Sequence, residues 1–425
     1  MADSNDDYWE NWNKDSKGSP NKSYNDTPTK SYKANKVKKQ PKKRKSNILK
    51  GIFALLIAAG LITAVFFTPF VSNLQNLLGG GDVYPEKADF SIKRTIDLET
   101  TGEIDYNIDI PVPIDIPGND IQTIKNMEWG GNPSSIEKFG QEWMLWNGTL
   151  RSAESKKIEI IYDVETTTVN WGYSADNSGK VSDVSQSLKD RYNRNQWQLD
   201  QDRDGDGEND WMIQPESSEI RSLAEEITEG KDNIYTKSRA LYDWINDNIE
   251  YVRGTTGLPQ HTLMTLHNRE GDCDEQSFLY CSLARSVDIP SWIELGILND
   301  RVLDRWAGHG WVRQQYISDE NEGGWVNIDL VNDQFFARDA QRVTSWVDDG
   351  IEGHLEDYYL FLNYTYSERP RVTYSDDYQT EDMETEGQVV LSDDEESVPG
   401  FEGFILGIAI LFALMVYKND RRKRK

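Results

Sequence analysis

The stretch "REGDCDEQSFLYCSLARSVDIP", residues 269–290, decides the fold of this chain. Asp272 followed three residues later by Glu275 is typical of a helix N-cap closed by a capping box, and an apolar run at helical spacing comes next. The pattern predicts a helix that begins at Asp272 and carries Cys273 in its first turn. Unpaired backbone amides and the positive end of the helix dipole at that position favour a thiolate.

Two motifs further along the chain supply the other groups that a reactive thiol needs. His309 stands in "GHGWV" (308–312) and Asp329 in "GGWVNIDLV" (323–331). Nucleophilic acyl transfer requires a thiolate, a base within hydrogen-bond reach and a third group that orients the base. We therefore predict Cys273 as nucleophile, His309 as base and Asp329 as its orienter. We expect the imidazolium of His309 to stabilise the thiolate more than the neighbouring carboxylates, turned toward solvent, destabilise it.

Buried, inert packing is the alternative for each cysteine, because free cysteine is among the most buried residue types. We expect this role for Cys281, which lies in the middle of the predicted helix. A disulfide between Cys273 and Cys281 is excluded by that helix, since eight residues separate their alpha carbons by roughly 12 Å.

The same motifs, taken with "SRALYDWINDNIEYV" (238–252), resemble the core domain of the transglutaminase-like superfamily. The resemblance covers about residues 218–336. It implies a papain-like fold with a Cys-His-Asp triad, in which Cys273, His309 and Asp329 take the three roles. Arg313 stands where this family usually has a glutamate.

Charge is distributed unevenly along the 425 residues, whose formal net charge is −27. Residues 70–400 hold 27 lysines and arginines against 65 aspartates and glutamates, and basic residues concentrate at both ends. A nucleic acid is excluded as the main partner, because a phosphate-binding face needs clustered basic side chains.

Two apolar runs flanked by basic clusters predict membrane-spanning helices. We expect a disordered cytoplasmic tail over 1–47, basic near the membrane, and a first transmembrane helix over 48–71, where Gly51–Val71 carries no charge. The second run, Gly403–Tyr417, is short, and its alternative is a buried or interfacial helix. Both basic clusters should lie inside, which predicts a cell-membrane protein of two spans with an extracellular central domain.

The C-terminal residues 399–425 begin with Pro399, Gly400 and Phe401, followed by the apolar run and a basic tail. This arrangement resembles the sorting signal of archaeal surface proteins processed by an archaeosortase. The resemblance implies an archaeal surface protein whose second span is replaced by a lipid anchor.

The described motifs lead to an α+β architecture with several segments. Short alternating runs predict a β-sandwich over 85–175, ahead of a connector (176–217) and the papain-like transglutaminase core (218–366). Within the core, two helices should be separated near Gly230. An extended acidic linker (367–398) should precede the C-terminal segment.

The connector contains "DRDGDGEND", residues 202–210. Its four aspartates, Asp202, Asp204, Asp206 and Asp210, offer oxygen ligands at alternate positions of a turning loop, which suits Ca²⁺ in a structural role. A solvated acidic turn is the alternative.

These observations favour a cell-surface cysteine acyl-transfer enzyme, an amide or peptide hydrolase or a transamidase. We expect it to act outside the cell on a peptide, a protein or an envelope polymer. The alternative is a noncatalytic module with the same fold that binds a partner or shapes the cell envelope.

Overall fold

Strands outnumber helices in the part of the chain that the computed structural model describes, residues 82–118, 121–200, 202, 205, 207–253, 258–300, 305–320 and 322–391. The strands are β1 Asp82–Tyr84, β2 Lys87–Thr100, β3 Ile104–Pro111, β4 Gln122–Trp129, β5 Ser134–Lys138, β6 Gln141–Leu150, β7 Ser155–Thr167, β8 Val169–Asn170, β9 Gln196–Gln198, β10 Trp211–Ile213, β11 Glu250–Tyr251, β12 Glu270–Gly271, β13 Ser291–Asp300, β14 Arg305–Ile317, β15 Gly323–Asp329, β16 Gln334–Phe335, β17 Ala337–Arg338, β18 Arg342–Val347, β19 Leu362–Thr365, β20 Val372–Glu386 and β21 Val389–Leu391. The helices are α1 Gln186–Tyr192, α2 Ser218–Ile227, α3 Ile234–Asn248, α4 Thr262–Asn268, α5 Cys273–Ser286 and α6 His354–Tyr359, and a 3-10 turn covers Val181–Asp183.

The two predicted membrane spans, 48–71 and the run within 399–425, lie outside the described residues, as does the N-terminal tail. Among the helices that are described, none has the length and apolar character needed to cross a bilayer.

Two four-stranded antiparallel sheets face each other across a shared apolar core. Their strand orders are β20–β2–β7–β4 and β19–β3–β6–β5. Side chains alternate between the core and the outside along β2 and β7, where Ile92, Ile96 and Ile160 are fully buried. The sequence predicted this sandwich over 85–175 but did not identify β4 and β5 as strands.

Residues 367–398 were predicted to form an extended acidic linker, but strand β20 occupies the middle of this segment. β20 pairs with β2 along the whole of that strand and completes the first sheet. Arg94 binds Asp376 through two hydrogen bonds of 2.9 and 2.6 Å, and Lys93 lies 2.7 Å from Glu381. Mutual repulsion along this segment was overestimated, since basic side chains of β2 offset its charge.

The core domain contains an antiparallel sheet in the order β16–β15–β14–β13–β18. One face packs against α5 and α3 through apolar side chains that include Phe278, Ile293 and Val312, and α2 packs on those two helices. The predicted break between α2 and α3 is confirmed, and Gly230 within it adopts a φ of +73°, which favours glycine.

Side chains of the sandwich cover the outer edge of β18, which would otherwise leave backbone groups unpaired. Gln122 accepts a hydrogen bond from Thr344 N at 2.7 Å and donates one to Thr344 O at 2.9 Å. Gln141 donates to Ser345 O at 2.9 Å. The sandwich therefore supports the sheet that carries the candidate site.

Replacing Arg94 by alanine should destabilise the protein by about 3 kcal/mol, because it leaves the partly buried Asp376 carboxylate unpaired. Urea unfolding measures the change. The double variant Arg94→Ala, Asp376→Ala should recover part of the loss. Lys157→Ala, which removes an exposed ion pair with Glu159, is the control and should leave the unfolding midpoint unchanged. An Arg94→Ala midpoint equal to that of the control would contradict the role assigned to this pair.

Candidate active site

The capping box at the start of α5 is confirmed. The Asp272 side chain accepts a hydrogen bond from Asp274 N at 3.1 Å, and Glu275 Oε2 accepts one from Asp272 N at 2.8 Å. Glu275 is fully buried and also accepts a hydrogen bond from Gln260 N at 3.0 Å. This double anchoring fixes the first turn of the helix, and with it the position of Cys273.

Strand β14 meets the first turn of α5 at Gly310, the residue after His309. The Cys273 thiol points to Asp274 Oδ1 at 3.8 Å. A β-carbon at position 310 would lie 2.5 Å from that same carboxylate oxygen. Glycine at 310 therefore leaves room for the Asp274 carboxylate between this strand and the thiol, and a side chain there would displace that carboxylate.

The His309 imidazole is buried and held by Asp329. His309 Nε2 lies 2.7 Å from Asp329 Oδ2. His309 stands opposite Gly296 in the β13–β14 register, and it stacks on Trp311 with ring centroids 5.7 Å apart. Since Nε2 is engaged by Asp329, Nδ1 is the ring nitrogen left to exchange a proton with a thiol or a substrate.

Two residues that sequence reasoning missed complete the environment of Asp329. Arg342 donates to Asp329 Oδ2 at 2.7 Å, and Asn332 Nδ2 donates to the same oxygen at 2.9 Å while lying 3.1 Å from His309 Nε2. Burial alone would raise the pKa of Asp329, but the charges of His309 and Arg342 and these hydrogen bonds lower it well below its usual value. Asp329 is therefore a permanent anion. The sequence offered one signal for these partners, which is that Asn332 follows Asp329 by three residues.

The expectation that carboxylates near the thiol would turn toward solvent is wrong. One carboxylate oxygen of Asp272, one of Asp274 and the sulfur of Cys273 all lie within 4.8 Å of one another. Burial, followed by the charges of Asp274 and Asp272, raises the pKa of Cys273 well above its ordinary value, against a lowering hydrogen bond from the Gly310 backbone. Because Asp274 lies between Cys273 and Gly310, its charge favours the neutral thiol.

Both aspartates beside the thiol have raised pKa values. Burial, a hydrogen bond with Glu275 and the charge of Asp274 raise the pKa of Asp272 to about 9. Burial and the charge of Glu275 raise the pKa of Asp274 to about 6. Asp274, whose Oδ1 lies 3.8 Å from the sulfur, is the carboxylate that most opposes ionisation of the thiol.

Cys281 lies in the middle of α5, fully buried among apolar side chains. Burial raises its pKa to about 12, against the lowering effect of Arg285. Both cysteines are free thiols, but Cys273 alone has part of its surface exposed.

Tyr359 on α6 is another residue near the thiol that the sequence did not indicate. Its hydroxyl is buried beside the Asp274 carboxylate. Burial and the charges of Asp274 and Cys273 raise its pKa well above its ordinary value. The hydroxyl therefore stays protonated and keeps a hydrogen to donate.

The predicted calcium ligands are only partly described. Asp204 and Asp206 lie outside the described residues. Asp202 accepts hydrogen bonds from Gly205 N at 2.6 Å and Gly207 N at 2.8 Å. Asp210 is buried, with Oδ2 3.5 Å from His261 Nε2. The calcium site stays a prediction.

Residues 221–330 match the sequence profile of the transglutaminase-like superfamily, and this segment contains Cys273, His309 and Asp329. This segment is therefore similar to transglutaminase-like domains. An uncharacterized protein of Mycobacterium leprae is 30% identical over 96 residues, which are 21% of this chain and 32% of that protein. The chain thus spans about a third of the length of this curated relative.

Two solved structures are similar in part. A protein of Cytophaga hutchinsonii, provisionally named a cysteine protease, matches with a TM-score of 0.49 and 14% identity over 73% of this chain and 96% of its own. A provisionally named protease of Parabacteroides distasonis matches with a TM-score of 0.24 and 16% identity over 63% of this chain and 48% of its own.

Replacing Asp274 by asparagine should speed alkylation of Cys273 by iodoacetamide about tenfold at pH 7.5, because the thiolate no longer faces a carboxylate. Falling pH protonates Asp274 in the wild type near its pKa of about 6. The ratio of the two rates should therefore shrink toward one below pH 6. Mass spectrometry of the labelled peptide measures each rate.

The control for this experiment is Asp288→Asn, which removes an exposed carboxylate beyond the other end of the same helix. Its alkylation rate should equal that of the wild type. A rate for Asp274→Asn that is no higher than that of this control would show that Asp274 does not govern the thiol.

Proposed function

We propose that this protein is a cysteine acyl-transfer enzyme in which Cys273 is the nucleophile, His309 the base and Asp329 the orienting anion. The observation that carries the proposal is the 2.7 Å contact between His309 and the buried Asp329. His309 lies on β14, and the next residue of that strand, Gly310, packs against the helical turn that carries Cys273. An imidazole fixed by a permanent anion beside a thiol is the arrangement that acyl transfer requires.

The acylation step moves one proton and exchanges one bond. His309 Nδ1 takes the thiol proton as the sulfur attacks the carbonyl carbon of a carboxamide or ester. The tetrahedral intermediate collapses to a thioester, and His309 returns the proton to the leaving amine or alcohol. Water then attacks the thioester, with His309 as base again, and the acid is released.

The developing oxyanion needs donors placed before the reaction. The backbone amide of Cys273 lies in the first turn of α5, where it has no partner within the helix. The protonated hydroxyl of Tyr359 is the side-chain donor that we assign to the same task. Hydrolysis is favoured over transamidation because water is the more abundant acceptor.

The raised pKa of Cys273 specifies how the nucleophile forms. A preformed thiolate and imidazolium would be opposed by Asp274. We therefore propose that the thiol proton leaves during the attack, with His309 acting as a general base on a neutral thiol. Substrate that displaces water around Asp274 would further favour its neutral form.

A noncatalytic module of the cell envelope is the second candidate function. The raised pKa of Cys273 favours this candidate. A neutral thiol against a carboxylate is a poor nucleophile unless a base assists it. Reactivity of Cys273 therefore separates the two candidates.

Incubation with p-nitrophenyl acetate should acetylate Cys273 and release a burst of p-nitrophenolate close to one equivalent per chain. Cys273→Ala should abolish the burst, and His309→Ala should slow it by at least a hundredfold, because the base is lost. Cys281→Ala is the matched control and should react as the wild type does. Acetylation of both cysteines at equal, slow rates would favour the noncatalytic module.

We also propose that the described domain is exported and held at the membrane by the spans predicted over 48–71 and within 399–425. The acidic balance of residues 70–400 and the basic clusters at both ends support this topology. Protease added to intact cells should cleave near Ser392 and spare the tail around Lys36, as detected by antibodies to each segment. Protection of the Ser392 region in intact cells, with cleavage only after lysis, would reverse the orientation.

A further inference from the structure

A second cavity, distinct from the cysteine site, lies between the sandwich and the core sheet. Its volume is about 230 Å³. The loop after β3 contributes apolar side chains, Ile116 and Pro117, and the core sheet contributes Arg313, Trp325 and others. The full lining is Ile116, Pro117, Ile121, Trp171, Tyr173, Glu294, Arg313, Gly324, Trp325 and Asn327.

The aromatic walls of this cavity are fixed by packing behind them. Trp325 contacts Trp292 with ring centroids 3.6 Å apart. Tyr173 stacks on Tyr316 at 3.6 Å, with an interplanar angle of 15°. Walls that cannot collapse keep the cavity open and lower the entropic cost of accepting a flat, apolar group.

The acidic residue of the cavity already binds protein donors through both of its oxygens. Glu294 is almost fully buried; its Oε1 accepts from Arg338 at 3.1 Å and from Thr344, and its Oε2 accepts from Asn327 at 2.9 Å. Burial would raise the pKa of Glu294, but Arg338, Arg313 and these hydrogen bonds lower it, so it remains an anion. Its charge is balanced by Arg338.

Arg313 is the other charged residue that lines the cavity. It is half-buried, and within the part of the chain that the structure describes its guanidinium makes no hydrogen bond or ion pair that would occupy it. With Glu294 hydrogen-bonded to Arg338, the Arg313 guanidinium is the charged group of the lining that is left to meet a ligand. A cation is therefore repelled, whereas an anion of matching shape restores neutrality. Arginine binds carboxylates through two parallel hydrogen bonds.

From this geometry we infer that the cavity is a binding site for a small organic carboxylate with a flat apolar body, held by Arg313 between Trp171, Tyr173 and Trp325. The volume admits one molecule of about the size of an aromatic amino acid. Arg313 lies four residues along β14 from His309, about 13 Å at the usual rise of a strand. The site therefore binds its ligand without contact with Cys273, and it does not depend on the proposed chemistry there.

Isothermal titration of the full chain with phenylacetate tests this site, with phenylacetamide as the neutral isostere and acetate as the anion that lacks a ring. Phenylacetate should bind at least tenfold more tightly than either, because only phenylacetate satisfies both the guanidinium and the aromatic walls. Arg313→Gln should remove the preference for the acid over the amide, and Arg313→Lys should retain it.

Two controls locate the site. Cys273→Ala should bind phenylacetate as the wild type does, which separates the cavity from the cysteine site. Arg221→Gln, which removes an exposed arginine on α2, should also bind normally. The inference is overturned if wild-type protein binds acid and amide alike or binds neither, or if Arg313→Gln keeps the preference. Should Arg313→Gln fail to fold, loss of the preference in Arg313→Lys would overturn it.

Discussion

The buried contact between Asp329 and Arg342 is the interaction on which the rest of the site depends. Arg342 is fully buried and binds Asp329 and Asp339 together. The segment that carries Asp339 is in turn tied to the sandwich, because Ala340 N donates to Thr168 Oγ1 at 2.9 Å. Removing either charge would leave an unpaired ion in a low dielectric. One guanidinium therefore connects the orientation of the imidazole to the packing of two domains.

This dependence explains why the core is inserted into the sandwich rather than appended to it. The chain leaves the sandwich after β7 and returns to it at β19 and β20, which pair with β3 and β2. A core attached at one end only could move relative to its neighbour. Attachment at both ends holds the loop of Asp339 and strand β18 in place, so the polar face of the sheet stays dry enough for its ion pairs to be strong.

How much could be predicted from the sequence depended on whether the determining contacts were local. The helix start marked by Asp272 and Glu275 follows from residues within one helical turn, and so does the break at Gly230. Both were predicted from the sequence. Arg342 was not identified as a partner of Asp329, since it comes from another strand and its approach depends on sheet register. β20 was misjudged for the same reason: its acidic residues repel one another in isolation, and only pairing with Arg94 and Lys93 makes a strand favourable.

Asp274 opposes the effect that the helix N-terminus has on the ionisation of Cys273. A cysteine at a helix N-terminus is expected to ionise readily, because the dipole and free amides stabilise its anion. Here the missing side chain of Gly310 allows Asp274 to lie against the sulfur, and desolvation and charge at contact distance outweigh a partial charge spread over the helix end. A thiol held neutral is also protected from oxidation, since the thiolate is the form that oxidants attack. The same contact that slows the resting nucleophile can therefore preserve it, provided that His309 removes the proton when substrate arrives.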